Sequence, residues 1–584
     1  MKKNVKRLLL CLVITLFAVS TLVLVACNGK RLLDVQLDEN YTLYEGESIE
    51  NVRSYLIVTY TSAKGNSRVV SDYELSGTLK KGNSKVKVSY NKLSKTVTVK
   101  VAESKATKGL EYTKNGNEYF VAGIGSAVEA DIYIPTTYQG KPVTVIAEEA
   151  FSNCKTIKSV FIGGNVARIN DSAFYNCTNL TNITFGASVK IIGEDAFTNC
   201  EKLQNVYYTG DVSAWCSIQH TRLWGHPLYN AENLYFKGEL VTEVVIPDTL
   251  KEINAYSFGE YGKLQSVTIG SGVEKIGEGA FACENITTLN YTGDIVSWCN
   301  IEFENWASNP LWAAHDFHLN GTKVTDLVIP DSVTKLNDFV FENASFNSVK
   351  LSSGLTSIGN NAFESNINLT NITFSNGLKS IGDYAFSYCN RLTSVVIPDS
   401  VTTVGDLAFY NCSSMVSATV GDNVQTIGSN AFDGCTQLST FTLGKSVTSI
   451  GGDSFKNCIN LHKVYYNGTL TTWCNIDFGN VWASPLYNEA DLYIGNQLLT
   501  NLVVPNDVTK LEYCVFYNCK SIKSVTIPTS VKKIDSFAFY GCNVSSITYL
   551  GTKAQWNLID CEFGINYWDN SIKYIICSDG TITL

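Results

Sequence analysis

The apolar positions of this chain repeat every 23 residues over most of its length after residue 104. Residues 401–412 and 424–435 show the unit, in which an apolar residue and glycine, then Ala-Phe, then Cys stand at the same offsets. An apolar run typical of a short β-strand, such as 395–397, lies between successive units. Because one such coil cannot bury its apolar side alone, the period predicts a solenoid of stacked coils. Thirteen units are marked by Phe151, Phe174, Phe197, Phe258, Phe281, Phe341, Phe363, Phe386, Phe409, Phe432, Phe455, Phe516 and Phe539.

Four longer, aromatic-rich inserts interrupt this period. They lie at about 206–245, 289–328 and 464–503, with the last one inside 546–584. The first three contain a Trp-Cys pair, then a Pro-Leu pair, then a predicted hairpin turn such as Lys237-Gly238. Residues Asp211, Asp294 and Thr469 stand where a short helix carrying the tryptophan would need an N-cap.

All nine tryptophans of the chain lie in these inserts. The recurring spacing of Trp215, Trp298, Trp473 and Trp556 predicts that they are buried, each in a miniature core of its own insert. The remaining five are less regularly placed and are therefore predicted to be exposed, where aromatic side chains commonly anchor a partner. These candidate binding residues are Trp224, Trp306, Trp312, Trp482 and Trp568.

The strand face of the solenoid is a second, plainer candidate surface. In seven coils a threonine stands between the two inward apolar positions of the strand, as at Thr419 and Thr442. Threonine suits a pleated surface, which explains the series without any ligand. The face is nevertheless compatible with recognition of a protein or a neutral glycan.

Alternating apolar residues before residue 104 predict a separate small β domain. Leu33, Val35 and Leu37 alternate with polar residues, and the pattern returns near residues 86–90 and 97–101. The segment is similar in size and strand order to bacterial immunoglobulin-like modules, which implies a β-sandwich that spaces the solenoid from its anchor. The predicted organisation is thus an immunoglobulin-like domain and tether at 27–103, a cap at 104–146, the solenoid at 147–545, and a last insert with a C-terminal cap at 546–584.

The first 26 residues are patterned as an export signal. A basic stretch from residue 2 to 7 precedes an apolar run from 8 to 25, and Leu24-Val25-Ala26-Cys27 follows. This order resembles the lipobox of bacterial lipoproteins, which implies that residues 1–26 are removed and that Cys27 is acylated. The alternative is an uncleaved membrane anchor, since 18 apolar residues nearly span a bilayer.

Charge excludes some classes of partner. The chain carries a formal charge of −9. Lys2, Lys3, Lys6 and Arg7 give the first 26 residues +4, so the remainder stands at −9 − 4 = −13. An acidic chain without a basic stripe is a poor ligand for nucleic acid, because neutralisation of phosphates supplies most of that affinity.

Cysteine and histidine offer no catalytic or metal-binding pattern. Three units replace the repeated cysteine by Tyr261, Ala344 or Asn366, which argues against metal ligation. Disulfides between successive coils are geometrically conceivable, but buried free thiols are the preferred prediction. The five histidines form no known motif. We therefore expect no cofactor, no metal and no enzymatic activity. The ten cysteines at the repeated position are Cys154, Cys177, Cys200, Cys283, Cys389, Cys412, Cys435, Cys458, Cys519 and Cys542.

The recurring Ile-Gly, Ala-Phe and Cys at this spacing resemble the BspA-type leucine-rich repeats of bacterial surface proteins. The resemblance covers about 104–584 and implies a mainly β leucine-rich-repeat solenoid of a surface-exposed, lipid-anchored and monomeric protein. It also implies adhesion, through binding of host or neighbouring-cell proteins or glycans. A cell-envelope scaffold with bacterial partners is the alternative, and an enzyme is a remote one.

Overall fold

The structure is a computed structural model that describes residues 31–38, 43–561 and 571–584. Strands are numbered in chain order. Within the described residues, no helix has the length and apolar character needed to cross a membrane.

The N-terminal module consists of two three-stranded antiparallel sheets. One sheet has the order β1-β2-β3 and the other has the order β4-β5-β6. The module buries two small apolar clusters, one around Val99 and one around Val58. The segment therefore forms a β module with apolar clusters of its own, and its likeness to an immunoglobulin domain stays a prediction. The elements are β1 (Leu32–Leu37), a 3-10 helix (Ile49–Tyr55), β2 (Leu56–Thr61), β3 (Ser67–Val69), β4 (Glu74–Gly77), β5 (Gly82–Tyr90) and β6 (Leu93–Val101).

This module packs directly on the first coils of the solenoid. The Tyr55 hydroxyl donates to the Thr209 carbonyl at 2.5 Å, and the Lys237 ammonium lies 2.9 Å from the Asp38 carboxylate. The Asn51 amide donates to the Gly164 carbonyl at 2.8 Å. The module and the first coils are therefore in direct contact, and the role of the module as a spacer between solenoid and anchor stays a prediction.

Gly164 allows this close approach, and changing it should loosen the contact of the module with this coil. A Cβ at Gly164 would lie 2.4 Å from the Glu47 carboxyl carbon. Asp248 occupies the equivalent turn of a later coil, so Gly164→Asp should leave the coil itself intact. Moving the ends of the Glu47 and Asn51 side chains aside costs the Asn51–Gly164 hydrogen bond, about 1 kcal/mol, so hydrogen exchange at residues 45–51 should rise about fivefold. Thr529→Asp, at the same turn far from the module, is the control. Unchanged exchange in Gly164→Asp would contradict the docking.

The rest of the chain forms coils whose strands build two parallel rows. Each coil gives a strand of three or four residues to the long row and a two-residue strand to the short row, as in the pairing of Val160 with Ile183. Strand pairing is continuous only within four blocks. The first block contains β7 (Glu111–Asn115), β8 (Glu118–Gly123), β9 (Asp131–Ile134), β10 (Thr137–Tyr138), β11 (Lys141–Ile146), β12 (Ser159–Ile162), β13 (Arg168–Ile169), β14 (Asn182–Phe185), β15 (Ile191–Ile192), β16 (Asn205–Tyr208), β17 (Gln219–His220), β18 (Asn233–Phe236) and β19 (Glu239–Leu240).

The second block is the shorter of the two central ones. It contains β20 (Glu243–Val245), β21 (Glu252–Ile253), β22 (Ser266–Ile269), β23 (Lys275–Ile276), β24 (Thr288–Tyr291), β25 (Glu302–Phe303), β26 (Phe317–Leu319) and β27 (Thr322–Lys323).

The third block has an unbroken short row of seven strands, whereas its long row is interrupted once. It contains β28 (Asp326–Val328), β29 (Lys335–Leu336), β30 (Ser348–Lys350), β31 (Ser357–Ile358), β32 (Asn371–Thr373), β33 (Ser380–Ile381), β34 (Ser394–Val396), β35 (Thr403–Val404), β36 (Ser417–Thr419), β37 (Thr426–Ile427), β38 (Thr440–Leu443), β39 (Ser449–Ile450), β40 (Lys463–Tyr466), β41 (Asp477–Phe478), β42 (Asp491–Ile494) and β43 (Gln497–Leu498).

The fourth block closes the solenoid with an antiparallel hairpin. It contains β44 (Asn501–Val503), β45 (Lys510–Leu511), β46 (Ser524–Ile527), β47 (Lys533–Ile534), β48 (Ser546–Tyr549), β49 (Asp560–Cys561), β50 (Tyr574–Cys577) and β51 (Gly580–Thr583).

The repeated phenylalanines form stacks along the solenoid axis. In the third block the rings from Phe341 to Phe455 follow one another, with centroids 5.3–5.8 Å apart and planes within 17° of parallel. Asparagine before the cysteine adopts a left-handed conformation in this turn, with φ of 54° at Asn411 and 59° at Asn457, which asparagine tolerates better than most residues. The thirteen predicted phenylalanine coils are therefore present and share one continuous core.

The cysteine ladder is a row of hydrogen-bonded thiols. The Cys412 thiol donates to the Phe386 carbonyl at 3.3 Å, and the same contact recurs at seven other ladder cysteines. Asn366 stands in for cysteine in one coil, and its amide donates to the Phe341 carbonyl at 2.7 Å. No disulfide joins the 16 cysteines within the described residues, in agreement with the preferred prediction.

The four inserts form coils of the solenoid themselves, and we call them Trp coils (209–236, 292–319, 467–494, and the described residues 550–561 and 571–577). Each adds strands to both rows, as β17 and β18 do after β15 and β16. After each of the first three, a hairpin strand pairs antiparallel with the Trp coil and the chain then pairs in parallel with the next block. The blocks therefore meet at the Trp coils. Their helices are α1 (Val212–Cys216), α2 (Ile295–Cys299), α3 (Leu311–Ala314), α4 (Leu470–Cys474) and α5 (Lys553–Trp556), with 3-10 turns at Pro227–Tyr229, Trp306–Ser308 and Val481–Ala483.

Candidate binding surface

The recurring tryptophan of each of the first three Trp coils connects one block to the next. Trp215, Trp298 and Trp473 are fully buried. Their indole N–H groups donate to the carbonyls of residues 42 positions further on, at 2.7–2.9 Å. The predicted caps are confirmed, because Asp211, Asp294 and Thr469 each accept a backbone N–H at the helix start.

The prediction of a miniature core in each insert is wrong. Trp215, Trp298, Trp473 and Trp556 belong to the same apolar cluster as the phenylalanine stacks. The reason is that the insert strands extend the two rows, so that the indole packs on aromatic residues of those strands, as Trp298 does on Phe303 at 5.5 Å and on Phe317 at 4.8 Å. Burial of these four residues was predictable from their spacing, whereas the continuity of the core was not.

Three of the candidate binding tryptophans are exposed at equivalent places. Trp224, Trp306 and Trp482 are 45%, 50% and 37% exposed. Each stands eight or nine residues after the buried tryptophan of its coil and shortly before the Pro-Leu pair. They are therefore more regular than their spacing to one another suggested, and the signal that reveals this is the distance to the proline.

The other two candidates behave differently. Trp312 is half-buried, because its indole N–H donates to the Phe281 carbonyl at 2.9 Å and its ring meets Trp306 edge to face at 5.1 Å. Its predicted exposure is therefore only partly correct. Trp568 and the predicted lipidation site Cys27 lie outside the described residues.

A continuous row of aromatic rings extends from Trp482 across the following coils. We call Trp482, Tyr487, Tyr517 and Tyr540 the aromatic strip. Successive ring centroids are 6.2, 5.8 and 5.2 Å apart. Phe537 packs against Tyr540 at 5.6 Å and widens the strip. Sequence reasoning missed the strip, although a tyrosine directly after the repeated phenylalanine, as in Phe516-Tyr517 and Phe539-Tyr540, signals it.

A charged pair lies beside the Trp482 end of the strip. The Lys456 ammonium lies 5.3 Å from the Trp482 ring centre and 2.7 Å from the Asp453 carboxylate. Burial raises the pKa of Tyr517 to about 12, so this hydroxyl is a neutral hydrogen-bond donor at physiological pH. The strip thus offers uncharged donors on an apolar base.

The titratable side chains of the described residues bear on metal binding and on thiol chemistry. They contain no group of three His, Cys, Asp or Glu side chains that could hold a metal ion. Burial raises the pKa of Cys154 to about 11 and that of Cys299 to about 12, and a protonated thiol is a poor nucleophile.

Comparison with known proteins places the repeats in a family. Six copies of the BspA type leucine rich repeat region match, at residues 131–218, 230–309, 315–435, 356–481 and 490–557. No curated protein matches the sequence.

Solved structures with similarity to the chain include several bacterial leucine-rich-repeat proteins. One from Bacteroides ovatus is 19% identical over 81% of this chain and 99% of its own, with a TM-score of 0.35. A leucine rich cell surface protein from Faecalibacterium prausnitzii is 20% identical over 79% and 98%, with a TM-score of 0.30. The pneumococcal vaccine antigen PcpA is 16% identical over 67% and 93%, with a TM-score of 0.34.

Proteins with such repeats are typically found at the cell surface and bind protein partners, as scaffolds for recognition more often than as enzymes. The repeat match covers more than half of the residues and coincides with the coils described above. The chain therefore belongs to the BspA-type leucine-rich-repeat family.

Proposed function

We propose that this protein is a lipid-anchored adhesin, which attaches the cell that bears it to proteins of a host or of a neighbouring cell. The aromatic strip and the exposed tryptophans of the Trp coils are its contact surface. Cys27 is its anchor, because the lipobox-like residues 24–27 end only five residues before β1 begins.

The observation that carries the proposal is the aromatic strip itself. Tryptophan and tyrosine dominate binding energy in protein interfaces, because they bury a large area with few rotatable bonds. Two of the four residues are exposed and two are half-buried, and none belongs to the core that the phenylalanine stacks and buried tryptophans fill. Trp482 and Tyr540 are 37% and 41% exposed at the two ends of the row.

The geometry of the strip favours a protein over a neutral glycan. The Tyr487, Tyr517 and Tyr540 rings are nearly parallel, with 6° and 15° between successive planes, so that they cover one another's faces. A sugar stacks on an open ring face, whereas these rings offer hydroxyl groups and electropositive edges. Backbone carbonyls and carboxylates of a protein partner complement such a surface.

A cell-envelope scaffold with bacterial partners is the second candidate, and location separates the two. Brief protease treatment of intact cells should degrade the adhesin but spare a scaffold enclosed within the envelope. Cys27→Ala should abolish incorporation of labelled fatty acid and release the protein from the membrane fraction. Protection of the wild-type chain on intact, sealed cells would overturn the adhesin proposal and favour the scaffold.

Binding is tested with soluble residues 28–584 at physiological salt. The probes are immobilised extracellular-matrix proteins, mucins and a glycan array. We expect saturable binding to at least one protein probe and none to free neutral glycans. Binding confined to the glycan array would contradict the choice of a protein partner.

A further inference from the structure

Two histidines lie buried side by side in the first Trp coil. His220 belongs to β17 and is 8% exposed, while His226 is fully buried before the Pro227–Tyr229 turn. Their ring centroids are 4.1 Å apart, with 51° between the planes. The pair thus fills one small space between the two rows of strands.

The two rings satisfy little of their hydrogen-bonding capacity. The Nδ1 atom of His226 accepts the Leu228 backbone N–H at 2.9 Å, which places the ring proton on Nε2. Within the described part of the chain, neither His226 Nε2 nor either nitrogen of His220 has a partner. Buried polar groups in this state are uncommon and call for an explanation.

Packing does not explain the pair, because the second and third Trp coils have other residues at both positions. Phe303 and Phe478 occupy the place of His220 at the ends of β25 and β41. The capping role of His226 falls to Asn309, which accepts from Leu311 at 3.0 Å, and to Ser484, which accepts from Leu486 at 3.3 Å. The chain therefore holds its own apolar and neutral replacements for both histidines.

Joint ligation of a metal ion does not explain the pair either. Imidazoles that share one ion hold their ring centres about 5–6 Å apart, given metal–nitrogen bonds of about 2.0 Å. Centroids at 4.1 Å are too close for that arrangement.

The surroundings of the pair favour neutral rings. Burial lowers the pKa of His220 to about 3, and burial together with His220 holds the pKa of His226 well below its usual range. Trp215 meets His226 edge to face at 6.0 Å. The nearby Glu194 carboxylate is paired with Arg222 at 2.7 Å, and the Asp195 carboxylate accepts from Thr198. The titratable and charged groups on the elements packed around the pair are Glu194, Asp195, Tyr208, Cys216, Arg222 and Tyr256.

The first Trp coil is also one of the coils that contact the N-terminal module. Thr209, at its start, accepts the Tyr55 hydroxyl, and Lys237, directly after it, pairs with Asp38 and lies 5.0 Å from the Tyr55 ring centre. Across its other side, Trp215 and Cys216 bond to the second block through Ser257 and Asn254. Opening of this coil would therefore loosen both connections.

We propose that the His220–His226 pair makes the first Trp coil an acid-sensitive joint, which opens in mildly acidic surroundings and loosens the N-terminal module while the other Trp coils stay closed. A buried imidazole whose pKa is lowered takes up its proton only when the coil is open. The closed coil is thus fully favoured above pH about 6.5 and loses stability as pH falls toward the closed-state pKa. When pH falls from 7 to 5, each histidine raises the equilibrium constant for opening by a factor of about 25, and the pair raises it by a factor of roughly several hundred.

Thiol labelling of the mature chain measures this opening with internal controls. Cys216, Cys299 and Cys474 are buried at the same place of the first, second and third Trp coils. A pyridyl disulfide that reacts in acid is applied at pH 7 and pH 5, and each cysteine is followed by mass spectrometry. Labelling of Cys216 relative to Cys299 and Cys474 should rise roughly several-hundred-fold on acidification, together with hydrogen exchange at residues 45–55.

The double variant His220→Phe/His226→Asn carries the residues of the second Trp coil at both positions. In this variant the rise should be absent, and Cys216 should be labelled as slowly as Cys299 at both pH values. Either of two results would overturn the proposal: no relative rise at Cys216 in the wild type, or the same rise in the double variant. If Cys216 opens without any change in exchange at residues 45–55, the joint does not control the module and that part of the proposal falls.

Discussion

Trp473→Ala should lower the opening free energy of the third Trp coil by about 3–5 kcal/mol, the range for loss of a large buried aromatic side chain. The indole is fully buried, meets Tyr466 at 5.2 Å, and donates to the Val515 carbonyl at 2.9 Å. Both strand rows break at this coil, so few backbone hydrogen bonds can replace the indole. The fourth block should therefore open separately from the third.

Hydrogen exchange at residues 500–545 measures this effect, because a long repeat array does not unfold in a single step. Trp473→Phe keeps an aromatic ring but removes the hydrogen-bond donor to Val515. It should lower the opening free energy by about 1–3 kcal/mol. Trp482 lies in the same coil but is exposed. Trp482→Ala should leave the opening free energy from hydrogen exchange within about 0.5 kcal/mol of the wild-type value. A decrease in opening free energy below about 1 kcal/mol in Trp473→Ala would contradict the role of the indole in connecting the third block to the fourth.

Phe409→Ala should have an effect of similar size in the middle of the third block. The ring is fully buried and stacks between Phe386 at 5.4 Å and Phe432 at 5.3 Å. Its removal leaves a cavity bounded by two parallel rings, which cannot collapse without shifting neighbouring coils, so a loss of about 3–5 kcal/mol is expected.

Urea denaturation followed by circular dichroism, with exchange at residues 380–440, measures the loss. Phe409→Leu should cost less than Phe409→Ala, because it restores part of the lost volume. Tyr410→Ala, the next residue but half-buried on the surface, should change stability by less than about 1 kcal/mol. Equal losses in Phe409→Ala and Tyr410→Ala would show that the stack does not carry the stability of the block.

The repeated part of this fold was predictable because one short pattern is written many times. Ala-Phe and Cys at fixed offsets place the same ring and the same thiol in every coil, so a single interpretation serves all of them. The caps Asp211 and Asp294 were predictable for a similar reason, since their hydrogen bonds are local in sequence.

Features that depend on contacts between distant residues were not predictable. The docking of the N-terminal module joins residues more than 100 positions apart, such as Asn51 and Gly164. The aromatic strip draws residues from separate coils, and its members are individually ordinary surface tyrosines. The histidine pair forms only because β17 and the Pro227–Tyr229 turn meet in space.

The measurement that tests the central claim most directly is the affinity of residues 28–584 for the protein probe that they bind, compared across three forms of the chain. These are the wild type, Trp482→Ala/Tyr540→Ala in the aromatic strip, and Thr419→Lys/Thr442→Lys on the strand face. We predict that the strip variant loses about 30-fold or more in affinity, the effect of one interface hot spot, at unchanged stability. The strand-face variant should bind as the wild type does. Full affinity in the strip variant together with lost affinity in the strand-face variant would contradict the account and move the binding site to the threonine-lined strands.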